Sequence, residues 1–169
     1  MDTLEIFIVS LAGAVVLGII MYLYTGYREK KLKSVARTNN SEHNSIQLQA
    51  YERLILLTDR IALPNLISRL SQPGISAKEM QFLLISTIRE EYEHNITQQI
   101  YVSADAWSAI KNLKEQNLLI INQFAQRLPA NATGPDLNKI LLEFLMNDKK
   151  GALHEVVSEV LSYEAKQVL

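Results

Sequence analysis

Ser103 to Leu128 reads SADAWSAIKNLKEQNLLIINQFAQRL, and its spacing decides the fold class. Trp107, Ile110, Leu113, Asn117, Ile121, Phe124 and Leu128 recur every three or four residues, the period that lines one face of an α-helix. Ser103 stands where a side-chain oxygen accepts from a free backbone N–H at a helix start. Asp105 follows in the first turn, where the helix dipole favours negative charge. Pro129 has no N–H to donate and its ring crowds the preceding turn, so the helix stops before it. Two residues of this stripe are polar or half-polar. Trp107 is expected to plug the core with its indole N–H seeking an acceptor. Asn117 must find partners among apolar neighbours or lie at an edge.

The same period continues on both sides. Downstream, Ala130 to Gly134 reads as a loop and Pro135 as a first helical residue with Asp136 behind it. Leu137, Ile140, Leu141, Phe144 and Leu145 then form an apolar face, and Gly151 separates a last helix with Leu153, Val156, Val157, Val160, Leu161 and Val168. Upstream, Ser76-Ala77-Lys78-Glu79 is a capping box, in which serine and glutamate satisfy two free N–H groups reciprocally. Leu84, Ile85, Ile88 and Tyr92 point inward from the helix it opens. Ile46 to Leu63 places Ile46, Ala50, Tyr51, Leu54, Leu57 and Ile61 on one face before Pro64, and Asn65 to Leu70 reads as a short helical turn. Ile96 to Val102 (ITQQIYV) has strand-like composition but no second strand to pair with, so it reads as a helix end or an extended connector. These segments predict an all-α bundle of about four or five helices over 46–169.

The N-terminus is of a different kind. Ile6 to Tyr24 (IFIVSLAGAVVLGIIMYLY) carries no charge and has the length of a transmembrane helix, with Tyr22, Tyr24 and Tyr27 at one edge. A cleaved signal peptide fits less well, because acidic Asp2 and Glu5 precede the run and no small-residue cleavage site follows it. The sequence therefore predicts a transmembrane anchor over 1–27, a basic juxtamembrane segment and polar linker over 28–45, and the helical domain. Arg28, Lys30, Lys31, Lys33 and Arg37 predict an inner (plasma) membrane protein with its N-terminus outside and the domain cytoplasmic, the cluster also facing lipid headgroups. Ser10, Ala14 and Gly18 recur at four-residue spacing, a small-residue face that would let another helix pack closely.

Composition narrows the chemistry. There is no cysteine, which excludes disulfides, thiolate metal ligands and cysteine nucleophiles. Beyond residue 37 the chain holds 12 Lys/Arg against 15 Asp/Glu, so no broad basic face for nucleic acid is expected. Glu91-Tyr92-Glu93-His94 has the Glu-x-x-His spacing of a di-iron ligand pair, but no second such motif accompanies it. His154-Glu155 starts like a zinc-protease helix, yet Ser158 occupies the place of the second histidine. His43 lies in the linker. No phosphate-binding glycine loop, nucleophile elbow or kinase signature is present. Asn95-Ile96-Thr97 and Asn131-Ala132-Thr133 match the glycosylation pattern, as chance matches in a cytoplasmic domain. No catalytic residue, metal ligand or cofactor is assigned.

LQAYERLILLTDRI (Leu48 to Ile61) and EYEHNITQQIYVSADAW (Glu91 to Trp107) together resemble a bacterial family of small single-span membrane proteins, classed only as a domain of unknown function. The resemblance implies the same architecture along nearly the whole chain and carries no activity, substrate or site residue.

The leading expectation is a non-enzymatic membrane-anchored interaction module, such as an accessory subunit of an inner-membrane complex. Its partners would be membrane lipid and a protein partner or second copy joined through the transmembrane helix, with no nucleic acid. The alternative is a small-ligand or regulatory sensor with an interhelical pocket near Tyr92 and Trp107. A metal-dependent enzyme ranks last.

Overall fold

Three helices start at side-chain caps, at Ser76, Ser103 and Thr133, and three stop a few residues before a proline, at Pro64, Pro73 and Pro129. The computed structural model describes residues 21, 22, 24, 42–147 and 153–169. The chain divides into two compact units, Met1–His43 and Asn44–Leu169, and the second holds the fold described below. Its helices are α1 (42–61), α2 (Leu63–Leu70), α3 (Ala77–His94), α4 (Ala104–Ala125), α5 (Gly134–Asn147) and α6 (Leu153–Val168), with a 3₁₀ turn over Ile96–Ile100.

The capping box at Ser76 forms as expected: Glu79 N–H donates to the serine oxygen at 3.2 Å, and Ser76 N–H donates to the glutamate at 2.8 Å. Ser103 caps α4 by accepting from Ala106 N–H at 2.9 Å. A third cap precedes α5, where Thr133 N–H donates to Asp136 at 2.8 Å and Asp136 N–H returns to the threonine hydroxyl. These caps bring the starts of α3 and α5 side by side. Ala77 N–H donates to Ala132 O at 3.0 Å and Gly134 N–H donates to Ile75 O at 2.8 Å. A Cβ on Gly134 would lie 2.8 Å from Ile75 Cγ1, so this crossing admits only glycine without displacement.

The junction of α1 and α2 shows how a chain break is healed. Pro64 cannot supply the N–H that would reach the Arg60 carbonyl, so the last carbonyls of α1 need other donors. Asn65 Nδ2 donates to Asp59 O at 3.2 Å, Arg69 Nη2 to Arg60 O at 3.2 Å, and Asn117 Nδ2 to Ile61 O at 2.8 Å. Asn117 thus resolves its place on an apolar stripe by closing the end of another helix.

One core joins all six helices. Leu54, Leu57 and Ile61 from α1, Leu66 from α2, Met80, Leu84 and Ile88 from α3, Ile110, Leu113 and Ile121 from α4, Leu137 and Leu141 from α5, and Leu161 from α6 are fully buried. Helix α3 packs against α4 and α5, α4 also against α5 and α6, and α2 against α3 and α5.

Two expectations are corrected. The bundle has six helices rather than four or five, because Leu63–Leu70 is a helix in its own right and not a single turn. The single-pass architecture and the inner-membrane localisation do not stand: among the described residues no helix is long and apolar enough to cross a membrane. The physical reason is visible in the three longest. Helix α1 carries Glu52, Arg53, Asp59 and Arg60, α3 carries Lys78, Glu79, Arg89, Glu90, Glu91 and Glu93, and α4 carries Asp105, Lys111, Lys114 and Glu115. Each charge placed in hydrocarbon would cost several kcal/mol, about 2.5–3.5 on insertion scales. Apart from Met21, Tyr22 and Tyr24, the apolar run lies outside the described residues, as do Ser10, Ala14, Gly18, Arg28, Lys30, Lys31, Lys33 and Arg37.

Candidate functional site

Tyr92 and Trp107, the proposed pocket residues, come together at the α3–α4 contact. Their rings stack 5.3 Å apart at 31°, and Lys114 Nζ sits 4.3 Å from the centre of the Tyr92 ring. Both rings are half-buried against the core. The pair therefore fills the space between its helices and presents one edge to solvent.

The other residues singled out by motif go to different places. Glu91 is largely buried and bound by Arg60 at 2.7 Å and Arg69 at 3.7 Å, so it ties α1 and α2 to α3. His94 ends the same helix, exposed. Among the described residues no three His, Asp or Glu side chains gather as metal ligands. His154, Glu155 and Ser158 line a groove of about 730 Å³ between α6 and α1, with Thr58, Asp59 and Glu159. That groove mixes these polar groups with Ile55 on the α1 wall and Tyr163 on the α6 wall.

Helix α6 bears two apolar stripes. Val157, Leu161 and Ala165 are buried in the bundle, and Val168 packs against it. Leu153, four residues before Val157, also packs against the core, whereas the second stripe, Val156, Val160 and Tyr163, runs at four–three spacing a quarter turn away. Val156 is 53%, Val160 39% and Tyr163 67% exposed. Glu159 borders this seam on one side and Glu164 on the other. Glu164 accepts a 2.7 Å hydrogen bond from Tyr51 Oη, and the same phenol oxygen accepts from Ser103 N–H at 3.2 Å. Burial pushes the Tyr51 phenol above its ordinary pKa, and donation to Glu164 adds to the rise. The contact pins α6 to α1 and α4, which holds the outer seam in a fixed orientation.

A second concavity lies between α2 and α5. It is an open groove of about 670 Å³, with Pro64, Ile67, Ser68 and Ser71 on one wall and Pro135, Lys139, Leu142, Glu143 and Met146 on the other. Asn138 is among its lining residues, with its Oδ1 buried away from solvent.

The features that sequence reasoning missed are those made between helices. The outer seam was present as a 3–4 repeat, but the inner stripe has the same period and nothing local separates them. Asn138 belongs by sequence to an ordinary helix, and only its neighbours across α2 distinguish it.

The chain belongs to a family of unknown function, DUF7935, whose model matches residues 1–168. That bears out the uncharacterised family of the resemblance, and it is silent on a membrane or bacterial nature. No curated protein and no solved structure gives a significant match.

Proposed function

We propose that this member of the family is a protein-interaction module without a catalytic role of its own, which docks an amphipathic helix of a partner protein along the outer seam of α6. The observation that carries the reading is the second apolar stripe: Val156, Val160 and Tyr163 sit exposed at the spacing that receives a partner helix. Burying the half of each side chain still exposed contributes about 1 kcal/mol each before the cost of association. Glu159 and Glu164 border the seam, so a partner with Lys or Arg beside its own apolar residues is favoured over one with acidic flanks. The alternative, a ligand taken up between Tyr92 and Trp107, has less support, because each ring is already the other's neighbour.

Photo-reactive side chains placed singly at positions 155, 156, 159, 160 and 163 test this in the native cell. One adduct, formed from 156, 160 and 163 and lost on Glu159→Lys, supports the reading. Adducts from every position alike, or from none, refute it.

A further inference from the structure

We propose that the helix received by the outer seam of α6 is α6 of a second copy, lying antiparallel across a two-fold axis. The inference rests on the reading of that seam as a helix-docking surface and names its occupant. Val156, Val160 and Tyr163 follow one another at four–three spacing, the alternation of a coiled-coil seam. All three are exposed on a helix of 16 residues, Leu153–Val168. Ile55 of α1 lines the same groove as Tyr163, so apolar surface continues beyond the helix on that side.

Charge decides the occupant and its direction. Glu159 and Lys166 stand two helical turns apart on one edge of the seam. Both are exposed, and among the described residues neither makes an ion pair. That edge therefore carries an anion and a cation without partners. An antiparallel second copy brings up the same edge reversed, so Glu159 faces the second copy's Lys166 and Lys166 faces its Glu159. One register makes both pairs at once. It sets Val160 against the second copy's Tyr163, Tyr163 against its Val160, and Val156 against its Gln167. Residues 155–168 of the two helices then overlap, about 20 Å of contact. Glu164, on the other edge, meets no like charge. A parallel pair fails the same test, because it sets Glu159 beside the second copy's Glu164.

The chain has no cysteine, so introduced thiols report without background. Two differently tagged full-length copies are co-expressed, one with Val160→Cys and the other with Tyr163→Cys, and oxidised in intact cells. The unlike pair should cross-link more strongly than Val160→Cys with itself, and Ser158→Cys, on the opposite side of α6, should not cross-link. Glu159→Lys or Lys166→Glu alone should lower the yield roughly tenfold, and the two together should restore it. A like pair that cross-links as strongly as the unlike one, or a double variant no better than either single, overturns the proposal. If no cross-link forms while photo-adducts from 156, 160 and 163 join the chain to a different protein, self-pairing is overturned and helix docking stands. Neither product overturns both.

Discussion

Asn117→Asp replaces one atom of a buried side chain, and its consequences can be worked out in sign and size. Asn117 is 6% exposed and donates to Ile61 O at 2.8 Å, closing the end of α1 where Pro64 interrupts the backbone pairing. At neutral pH an aspartate there offers only acceptors. The Ile61 carbonyl then loses its donor, at about 1–3 kcal/mol, and an uncompensated charge in the same place brings the total to roughly 3–5 kcal/mol. For a chain of 169 residues that corresponds to a Tm lowered by roughly 6–20 °C. In acid the outcome reverses. A protonated aspartic acid carries an O–H that can donate to Ile61 O as the amide does. Burial without a cationic partner raises the folded-state pKa above the unfolded value of about 3.9, so the restored stability is fully present below that value and is lost as pH rises through the folded pKa. Thermal unfolding of variant and wild type at a series of pH values, compared as a difference at each pH, measures this. A difference that is small at pH 7, or that does not shrink in acid, refutes the assignment of Asn117 as the donor that closes α1.

Gly134→Ala should destabilise by about 1–2 kcal/mol despite the better helix former, because the new Cβ meets Ile75 Cγ1 at 2.8 Å; urea unfolding should find the cost reduced in an Ile75→Ala background. Tyr51→Phe should cost about 1–2 kcal/mol in the same assay, since Ser103 N–H and Glu164 both lose a buried partner. Glu79 and Asp136 are held below their ordinary pKa values, Glu79 chiefly by the Ser76 backbone N–H and Asp136 chiefly by the Thr133 hydroxyl. Their contribution is therefore present above the unfolded carboxylate values and lost as pH falls through the folded ones. Tm should fall below about pH 4, and less steeply in a Glu79→Gln, Asp136→Asn double variant.

The helical elements were legible because their signals are local. The capping box at Ser76, the cap at Ser103 and the stops at Pro64 and Pro129 each act within a turn of the residue that causes them. The Thr133–Asp136 cap was equally local, and reading Ala130 to Gly134 as a plain loop passed over it. ITQQIYV was harder: its β-branched and aromatic residues match a strand in composition, but the chain offers no partner strand and it settles as a 3₁₀ turn with Gln98 buried. The apolar run at Ile6 to Tyr24 drew a membrane architecture that no described helix supports, since hydropathy over one window says nothing of the amphipathic helices that follow.

What the sequence by itself determined is the all-α class, the positions of the caps and breaks, and the set of residues from which the core is chosen. Those follow from a 3.6-residue period and from backbone donors that must be met close by. The tertiary structure alone decided which of two stripes on α6 faces the bundle, that Asn117 closes α1 across 56 residues of chain, and that Asn138 Oδ1 is buried between α5 and α2 without a hydrogen-bond partner. Each is a relation between segments far apart in the chain. No local rule carries such a relation, because burial and hydrogen-bond satisfaction depend on what the fold brings alongside.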